Sequence, residues 1–224
     1  MIFFPPFLVL FFFVFIFLLF LVFSLVQFGL ITEAFTRLGI PPGGLFFLFV
    51  LCIAGSMVNI PIRKIVIEPE PEELAAVSFF GMRFRPPPWR NPQEMILAVN
   101  VGGAVIPTLF SLYLLVRTDY PLRMLLALGI VTWVVHRVAR PVAGVGIATP
   151  MLVPPIAAAL AAVILTPGGE PSTAYVAGTL GTLIGADLMN LDKLRNLKAP
   201  VASIGGAGTF DGIFLTGILA VLLA

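Results

Sequence analysis

The chain is 224 residues long; 59% of its residues are apolar, only 11% are charged, and its mean hydropathy is +1.09. Because an ordinary soluble domain has about 25% charged residues, this composition excludes that class and predicts an integral membrane protein with the lipid bilayer as its partner. A net charge of +2 with scattered basic residues excludes nucleic acid. A single cysteine, Cys52, and a single histidine, His136, exclude a disulfide framework and a typical zinc site.

Seven apolar segments are candidates for membrane-spanning helices, each of which needs about 20 residues. They lie at about residues 5–31, 45–62, 94–116, 122–137, 149–166, 172–191 and 208–224. The first segment has no small-x-small cleavage site and exceeds the roughly 7 to 15 apolar residues of a signal peptide, so it is expected to stay attached. The sequence therefore predicts an all-α integral membrane protein with about seven transmembrane helices in a single domain, residues 1–224.

One sizeable polar segment, residues 63–93, separates the second and third predicted spans. Its parts 63–67 and 77–85 are strand-like and flank a turn rich in Glu and Pro. We expect a small cytoplasmic β-hairpin that lies on the bilayer surface, with its aromatic side chains in the interface and its arginines against headgroups. Docking of a partner is the alternative role for this insertion.

Glycine and proline interrupt two of the apolar regions. The third span carries Asn100, Gly102, Gly103 and Pro107. A proline in a helix frees a carbonyl, which is tolerated in a membrane only where protein surrounds the helix, so this helix is predicted to be interior. Residues 138–150 contain too much glycine and proline for a helix, and we expect a re-entrant or tightly tucked loop there.

The lysines and arginines predict the orientation. With seven spans, three of the thirteen face one side, namely Arg37, Arg117 and Arg123. The other ten face the opposite side, namely Arg63, Lys64, Arg83, Arg85, Arg90, Arg137, Arg140, Lys193, Arg195 and Lys198. The positive-inside rule makes the richer side cytoplasmic. We therefore expect a multi-pass protein of the cell (inner or plasma) membrane with a cytoplasmic N-terminus and an external C-terminus.

Two aspartates, Asp187 and Asp211, are the candidate catalytic residues. They lie near the end of the sixth span and the start of the seventh, on the same predicted side. Charged residues in spans usually face the bundle interior. Small residues recur every four positions on both helices and would let them approach closely. These ridges are Ala177, Gly181 and Gly185 on the sixth helix and Gly208, Gly212 and Thr216 on the seventh.

A purely structural role for either aspartate is the alternative. Asp187 is close in sequence to Lys193 and would pair with such a lysine at the interface. Asp211 would satisfy backbone donors in the first turn of its helix and interact favourably with the helix dipole. Asp211 is the stronger functional candidate, with Asp187 as its conditional partner.

Three sequence runs carry a resemblance that covers nearly the whole chain. They are residues 100–107 (NVGGAVIP), 181–187 (GTLIGAD) and 202–212 (ASIGGAGTFDG). With these runs the chain resembles an uncharacterised prokaryotic family of polytopic membrane proteins, a domain of unknown function. That resemblance implies a membrane fold and no particular activity.

In part the chain also resembles the intramembrane aspartyl proteases of the presenilin, signal-peptide-peptidase and prepilin-peptidase type. Those proteases have one aspartate on each of two neighbouring helices, the second preceded by glycines. Here two residues separate Gly208 from Asp211, whereas the protease aspartate directly follows its Gly-x-Gly, and no Pro-Ala-Leu follows Asp211. Only Asp187 and Asp211 correspond.

These observations leave three functions open. As a hydrolase, the chain would use Asp187 and Asp211 as general base and general acid against a peptide bond. As a small ion- or proton-coupled transporter or channel, it would bind its ion at Asp211, Asn100 and Asn59, near broken helices. As a non-catalytic accessory subunit, it would pack against other membrane protein subunits. The predicted site is lined by Asn59, Asn100, Gly185, Gly208 and Gly212, and no motif indicates a cofactor or a metal.

Overall fold

The computed structural model describes residues 24, 29–34, 36–66, 77–79, 82–84, 94–142, 146–197, 201–206 and 212–224. This part of the chain is mostly helical. Its α-helices are α1 (Pro42–Ser56), α2 (Ile106–Arg117), α3 (Pro121–Val138), α4 (Val153–Leu165), α5 (Glu170–Thr182) and α6 (Gly212–Leu223). Residues 29–34 and 36–37 are helical as well. Two π-helical turns adjoin these helices, Val101–Val105 before α2 and Leu183–Asp187 after α5, and a 3-10 segment follows at Leu188–Leu197.

Seven short strands complete the described structure: β1 (Asn59–Val66), β2 (Val77–Phe79), β3 (Met82–Phe84), β4 (Glu94–Asn100), β5 (Arg140–Val142), β6 (Gly146–Ala148) and β7 (Val201–Ile204). Strands β1, β4 and β7 form a three-stranded sheet with β4 in the centre. β4 is antiparallel to β1 and parallel to β7. Since parallel strands end at the same edge of a sheet, β4 and β7 both deliver their following residues to one edge.

The predicted hairpin within residues 63–93 is wrong in its pairing. Residues 63–66 are a strand, but they belong to β1, whose partner is β4. β2 and β3 pair with each other in a separate two-stranded ribbon. β4 occupies the start of the predicted third span, so the strand takes residues that we assigned to a helix. The reason is that β4 has β-branched and apolar residues on both faces and lies between two strands that are distant in sequence, a non-local pairing that local patterns do not reveal.

Residues 138–150 also differ from the expected irregular loop in one respect. β5 and β6 pair in antiparallel register, with Arg140 opposite Ala148. Ile147 packs against two of the buried clusters of the protein. The segment is therefore folded back onto the bundle as a short ribbon.

The ridge of small residues on α5 packs against α3, where we expected the last helix. A Cβ atom added at Gly181 would lie 2.7 Å from the Val131 side chain, and one at Gly185 would lie 2.5 Å from the Thr132 carbonyl oxygen. Helix α6 packs on another face of α5, where an added Cβ at Gly178 would lie 3.2 Å from Ala220. Close approach of α5 and α6 therefore depends on Gly178, and that of α5 and α3 depends on the predicted ridge.

Among the described helices, α3 is long and apolar enough to cross a membrane by length and composition. The other apolar helices of the described part are shorter, between 10 and 17 residues. The fourth predicted span coincides with α3, whereas most of the first lies outside the described residues. Within the described residues, helix length and composition thus support one membrane-spanning segment, and the seven predicted spans are not confirmed.

Candidate functional site

A polar site lies at the sheet edge where β4 and β7 end. Four pieces of chain meet there: the end of α1, the start of β1, and the residues that follow β4 and β7. Asn59 and Asn100 stand opposite each other in the β1–β4 register. Both were predicted to line a site, and the fold brings them into direct contact.

Asn100 is the centre of this contact, with only 1% of its surface exposed. Its side-chain amide donates to the Ser56 carbonyl oxygen at 2.7 Å and to Asn59 Oδ1 at 3.1 Å. Its own Oδ1 accepts the Gly103 backbone N–H at 2.7 Å. Asn100 therefore caps the π-helical turn that follows it and ties that turn to the end of α1.

Ser203 extends the network to the third strand. Its hydroxyl donates to Asn59 Oδ1 at 2.6 Å. Asn59 Oδ1 thereby accepts two hydrogen bonds, one from β4 and one from β7. Three strands and one helix end are joined through two asparagines and one serine, which makes the arrangement of this edge specific as well as polar.

Close backbone packing holds the π-helical turn Val101–Val105 against α1. A Cβ atom at Gly102 would overlap the Cys52 carbonyl oxygen and the Ser56 backbone nitrogen. Gly55, on the facing side, would likewise place a Cβ 2.9 Å from the Gly102 nitrogen. The glycines at this crossing are therefore required by the approach of two backbones.

Asp187 ends the second π-helical turn and is half-buried. Its Oδ2 accepts the Gly205 backbone N–H at 2.8 Å. Gly205 has a φ of +83°, and a Cβ there would lie 2.7 Å from the Ala104 nitrogen. The carboxylate of Asp187 thus holds the residues that follow β7 directly against the π-helical turn that follows β4.

Asn190 stabilises the end of the helix that carries Asp187. It is fully buried, and its amide donates to the carbonyl oxygens of Gly185 at 3.0 Å and Ala186 at 2.8 Å. Its Oδ1 accepts from Lys193 Nζ at 2.7 Å, and His136 Nδ1 lies 3.4 Å from its amide nitrogen. Lys193, the lysine considered as a partner for Asp187, forms its described hydrogen bond with Asn190.

The structure brings together part of the predicted site. Asn59, Asn100 and Asp187 lie on the same end of the helices, and Gly185 packs against α3 two residues before Asp187. Gly212 begins α6. Asp211 and Gly208 lie outside the described residues, so their proximity to Asp187 stays a prediction.

Sequence reasoning missed Ser203 as a site residue. A signal was present, because residues 203–206 (SIGG) repeat the pattern of residues 100–103 (NVGG): a polar residue, a β-branched residue and two glycines. Both runs lie at the ends of neighbouring parallel strands. The repeat identifies Ser203 as the counterpart of Asn100, and the two side chains meet at Asn59.

The chemistry of the site is that of neutral oxygen and amide groups around one carboxylate. No group of three or more His, Cys, Asp or Glu residues that could hold a metal ion occurs within the described ranges. In the hydrogen bonds described for this end of the helices, Asp187 is the one acidic side chain and Lys193 is the one basic side chain. Such a site can hold a proton, or a small cation with few ligands, and one carboxylate can pass a proton on.

Fold and site together define a protein whose described part is mostly helical, has a polar site between two π-helical turns, and contains one helix suited by length and composition to cross a membrane. Residues 53–223 match the family described as "Protein of unknown function (DUF1614)", and the chain belongs to that family. The predicted membership in a family of unknown function is thereby confirmed. No curated protein and no solved structure matches the chain, and the resemblance to aspartyl proteases gains no support.

Proposed function

We propose that the protein is a multi-pass membrane transporter that binds a proton or a small cation at the polar site, with Asp187 as the charged group. The observation that carries this proposal is the position of Asp187, at the break where α5 and its π-helical turn give way to a 3-10 segment, and its bond to the backbone beside the π-helical turn from which α2 starts. Ion-coupled transporters place their coupling sites at such helix breaks. A carboxylate next to membrane is costly and is usually retained for ion or proton movement.

The outer faces of the helices support a membrane location. Helices α3 and α4 each present large exposed apolar side chains at helical spacing, a stripe that faces outward. On α3 these are Leu122, Leu125, Leu126, Ile130 and Trp133, and on α4 they are Ile156, Leu160, Val163 and Ile164. Soluble monomers rarely expose contiguous apolar surface of this kind, whereas lipid covers it at no cost.

The ends of α3 have the residues expected at two membrane interfaces. Arg123 lies over the Tyr120 ring at 5.6 Å, and Arg137 lies over the Trp133 ring at 5.0 Å. The 18 residues of α3 span about 27 Å, close to the roughly 30 Å of a hydrocarbon core. Aromatic and arginine side chains at both ends of such a helix form the usual interfacial belts.

The seven-span topology remains part of this proposal, with the N-terminus in the cytoplasm and the C-terminus outside. Its support is the direction of packing: Gly181 lies against Val131, and Gly185, four residues later, reaches Val135 and His136, so α5 and α3 run in the same direction. Asp187 and the polar site are then at the Arg137 end of the bundle. That end is the cytoplasmic side by the count of basic residues.

The test is ion flux in liposomes that contain the purified protein. Asp187→Asn keeps an oxygen that accepts the Gly205 N–H but removes the charge, so we expect the folded protein and a flux at least about tenfold lower. Asp192→Asn is the matched control, because Asp192 is an exposed aspartate on the segment after Asp187. Unchanged flux in Asp187→Asn would contradict the proposal, as would an equal loss in Asp192→Asn.

A hydrolase that uses Asp187 with Asp211 is the second candidate. The observation that favours it is the hydrogen bond from Gly205 to Asp187, because Gly205 precedes Asp211 by only six residues. The segment that leads to Asp211 is therefore hydrogen-bonded to Asp187 at its start. Hydrolysis of a membrane peptide that is lost in both Asp187→Asn and Asp211→Asn supports this function; activity retained in either variant contradicts it.

A further inference from the structure

A line of buried hydroxyl groups crosses the interior of the bundle. Tyr175, Thr179 and Thr182 follow one face of α5 at intervals of four and three residues, and Ser111 lies on α2. At most 5% of the surface of any of these four residues is exposed. None of the four side-chain oxygens has a hydrogen-bond partner within the described ranges. We call these four residues the hydroxyl line.

Two other helical threonines of the described chain have hydroxyls that are satisfied locally, whereas Thr173 on α5 has a buried hydroxyl that lacks a partner as well. Thr166 donates to the Ala162 carbonyl oxygen at 2.9 Å, and Thr36 donates to the Thr32 carbonyl oxygen at 2.8 Å. This bond to the preceding turn is open to any helical threonine. Because an unpaired buried hydroxyl is costly, a set of them on adjoining helices indicates groups that serve something other than the fold.

The neighbours of the hydroxyl line are shaped around it. The Phe110 ring packs edge-on to the Tyr175 ring with centroids 5.0 Å apart, which joins α2 to α5 next to Ser111. On α6, a Cβ added at Gly217 would lie 3.0 Å from the Tyr175 ring and would overlap the Thr179 hydroxyl oxygen. Glycine at this position lets α6 approach the Tyr175 and Thr179 side chains so closely that no Cβ fits between them.

A cleft lies beyond one end of the hydroxyl line, and Asp187 lies beyond the other. A cleft of about 210 Å³ is lined by Tyr113, Leu114, Arg117, Thr118 and Ser172, among others. Ser172 precedes Tyr175 by three residues on α5, and Leu114 follows Ser111 by three residues on the buried face of α2. At the opposite end, Thr182 is followed by the π-helical turn that finishes at Asp187.

We propose that the hydroxyl line is a proton path that connects this cleft to Asp187, an inference that rests on the proposed transport function and names the proton as the species moved. The Cα atoms of Tyr175, Thr179 and Thr182 are about 6 Å and 4.5 Å apart along the helix axis, so their side chains follow one another on one face of α5. The proposed path includes a bridging water wherever two hydroxyls are too far apart for a direct bond. A hydroxyl both donates and accepts. Each member therefore takes one proton from a neighbour and releases its own to the next, and the Asp187 carboxylate takes or gives the last one, so charge is conserved.

The chemistry of the line favours a proton over a metal cation. A cation stripped of water requires several oxygen ligands converging on one point, whereas the four hydroxyls are spread along the bundle. No ionised side chain belongs to the line to neutralise a resting cation. Hydroxyls in series supply what proton transfer needs, because they hydrogen-bond in both directions.

The experiment measures proton flux into liposomes with an internal pH dye, driven by a potassium diffusion potential with valinomycin. The variant is Thr179→Val with Thr182→Val, which removes two hydroxyls and keeps the shape of both side chains. The control is Thr166→Val, because the Thr166 hydroxyl already donates to the Ala162 carbonyl oxygen of α4. We expect flux at least tenfold lower in the double variant, unchanged flux in the control, and an unchanged or higher melting temperature in the double variant because no hydroxyl bond of the described structure is lost.

The possible outcomes test the proton path and the transport function separately. Undiminished proton flux in the double variant, or an equal loss in the control, overturns the path. Flux of sodium or potassium without proton flux in the unaltered protein overturns the path and leaves cation transport standing. Absence of flux for protons and for both cations overturns the path and the transport function together.

Discussion

Replacement of Asn100 by leucine tests whether one buried amide joins α1 to the sheet. Leucine has nearly the same volume, but it removes the partner of the Gly103 N–H and of the Ser56 carbonyl oxygen. Each buried group left without a partner costs about 1 to 3 kcal/mol, so the loss in the free energy of unfolding is about 2 to 6 kcal/mol. For a chain of this size that lowers the transition temperature by about 4 to 24 °C.

Cys52 supplies the assay. It is the single cysteine of the chain, it is 3% exposed, and it lies on α1 against the turn that Asn100 caps. A maleimide that fluoresces on reaction with a thiol therefore reports unfolding of the detergent-purified protein during heating. Asn59→Leu is the comparison variant. It is expected to lower the transition temperature less than Asn100→Leu, because Asn59 is only half-buried and water replaces part of its hydrogen bonding. A shift below about 2 °C for Asn100→Leu, or a larger shift for Asn59→Leu, would refute the reasoning.

Two further predictions concern glycines and use the same thermal assay. Gly102→Ala forces a Cβ into backbone atoms of α1 and is expected to cost about 3 kcal/mol or more, whereas Gly129→Ala, in open space on α3, is neutral or stabilising by up to about 1 kcal/mol. Equal transition temperatures for these two variants would contradict the close backbone contact. Gly205→Ala combines a positive φ with a clash against the turn after β4, whereas Gly168→Ala has a positive φ and open space and costs about 1 to 2 kcal/mol. If Gly168→Ala is as destabilising as Gly205→Ala, conformational strain alone accounts for the glycine at 205 and the packing argument fails.

Local patterns were sufficient for helices α3 and α4. The predicted span at 122–137 corresponds to α3 (Pro121–Val138), and the fifth predicted span contains α4 (Val153–Leu165). Proline at the first turn and the long apolar run define these helices without help from the rest of the chain. The same patterns assigned residues 94–100 to a helix, where the structure has β4. The reason is that a continuous apolar run is expected both for a buried strand and for a membrane helix.

Local sequence patterns could not predict which distant segments pair. β4 meets β1 about 40 residues earlier in the chain and β7 about 100 residues later, as the pairs Asn59–Asn100 and Val99–Ile204 show. The ridge at Gly181 and Gly185 was correctly read as a packing surface, but the sequence does not state its partner. Helix α3 fills that role because the fold brings it, rather than α6, to that face.

By itself, the sequence determined the apolar character of this protein, the principal helices, the packing role of the glycines on α5, and Asn59, Asn100 and Asp187 as polar positions worth attention. These follow from composition and from periodicity within single elements. Only the tertiary structure decided that Asn59, Asn100 and Ser203 form one network, and that Asp187 bonds to Gly205. Both contacts depend on parallel strands from different parts of the chain ending at the same sheet edge, a relation that exists only once the chain has folded.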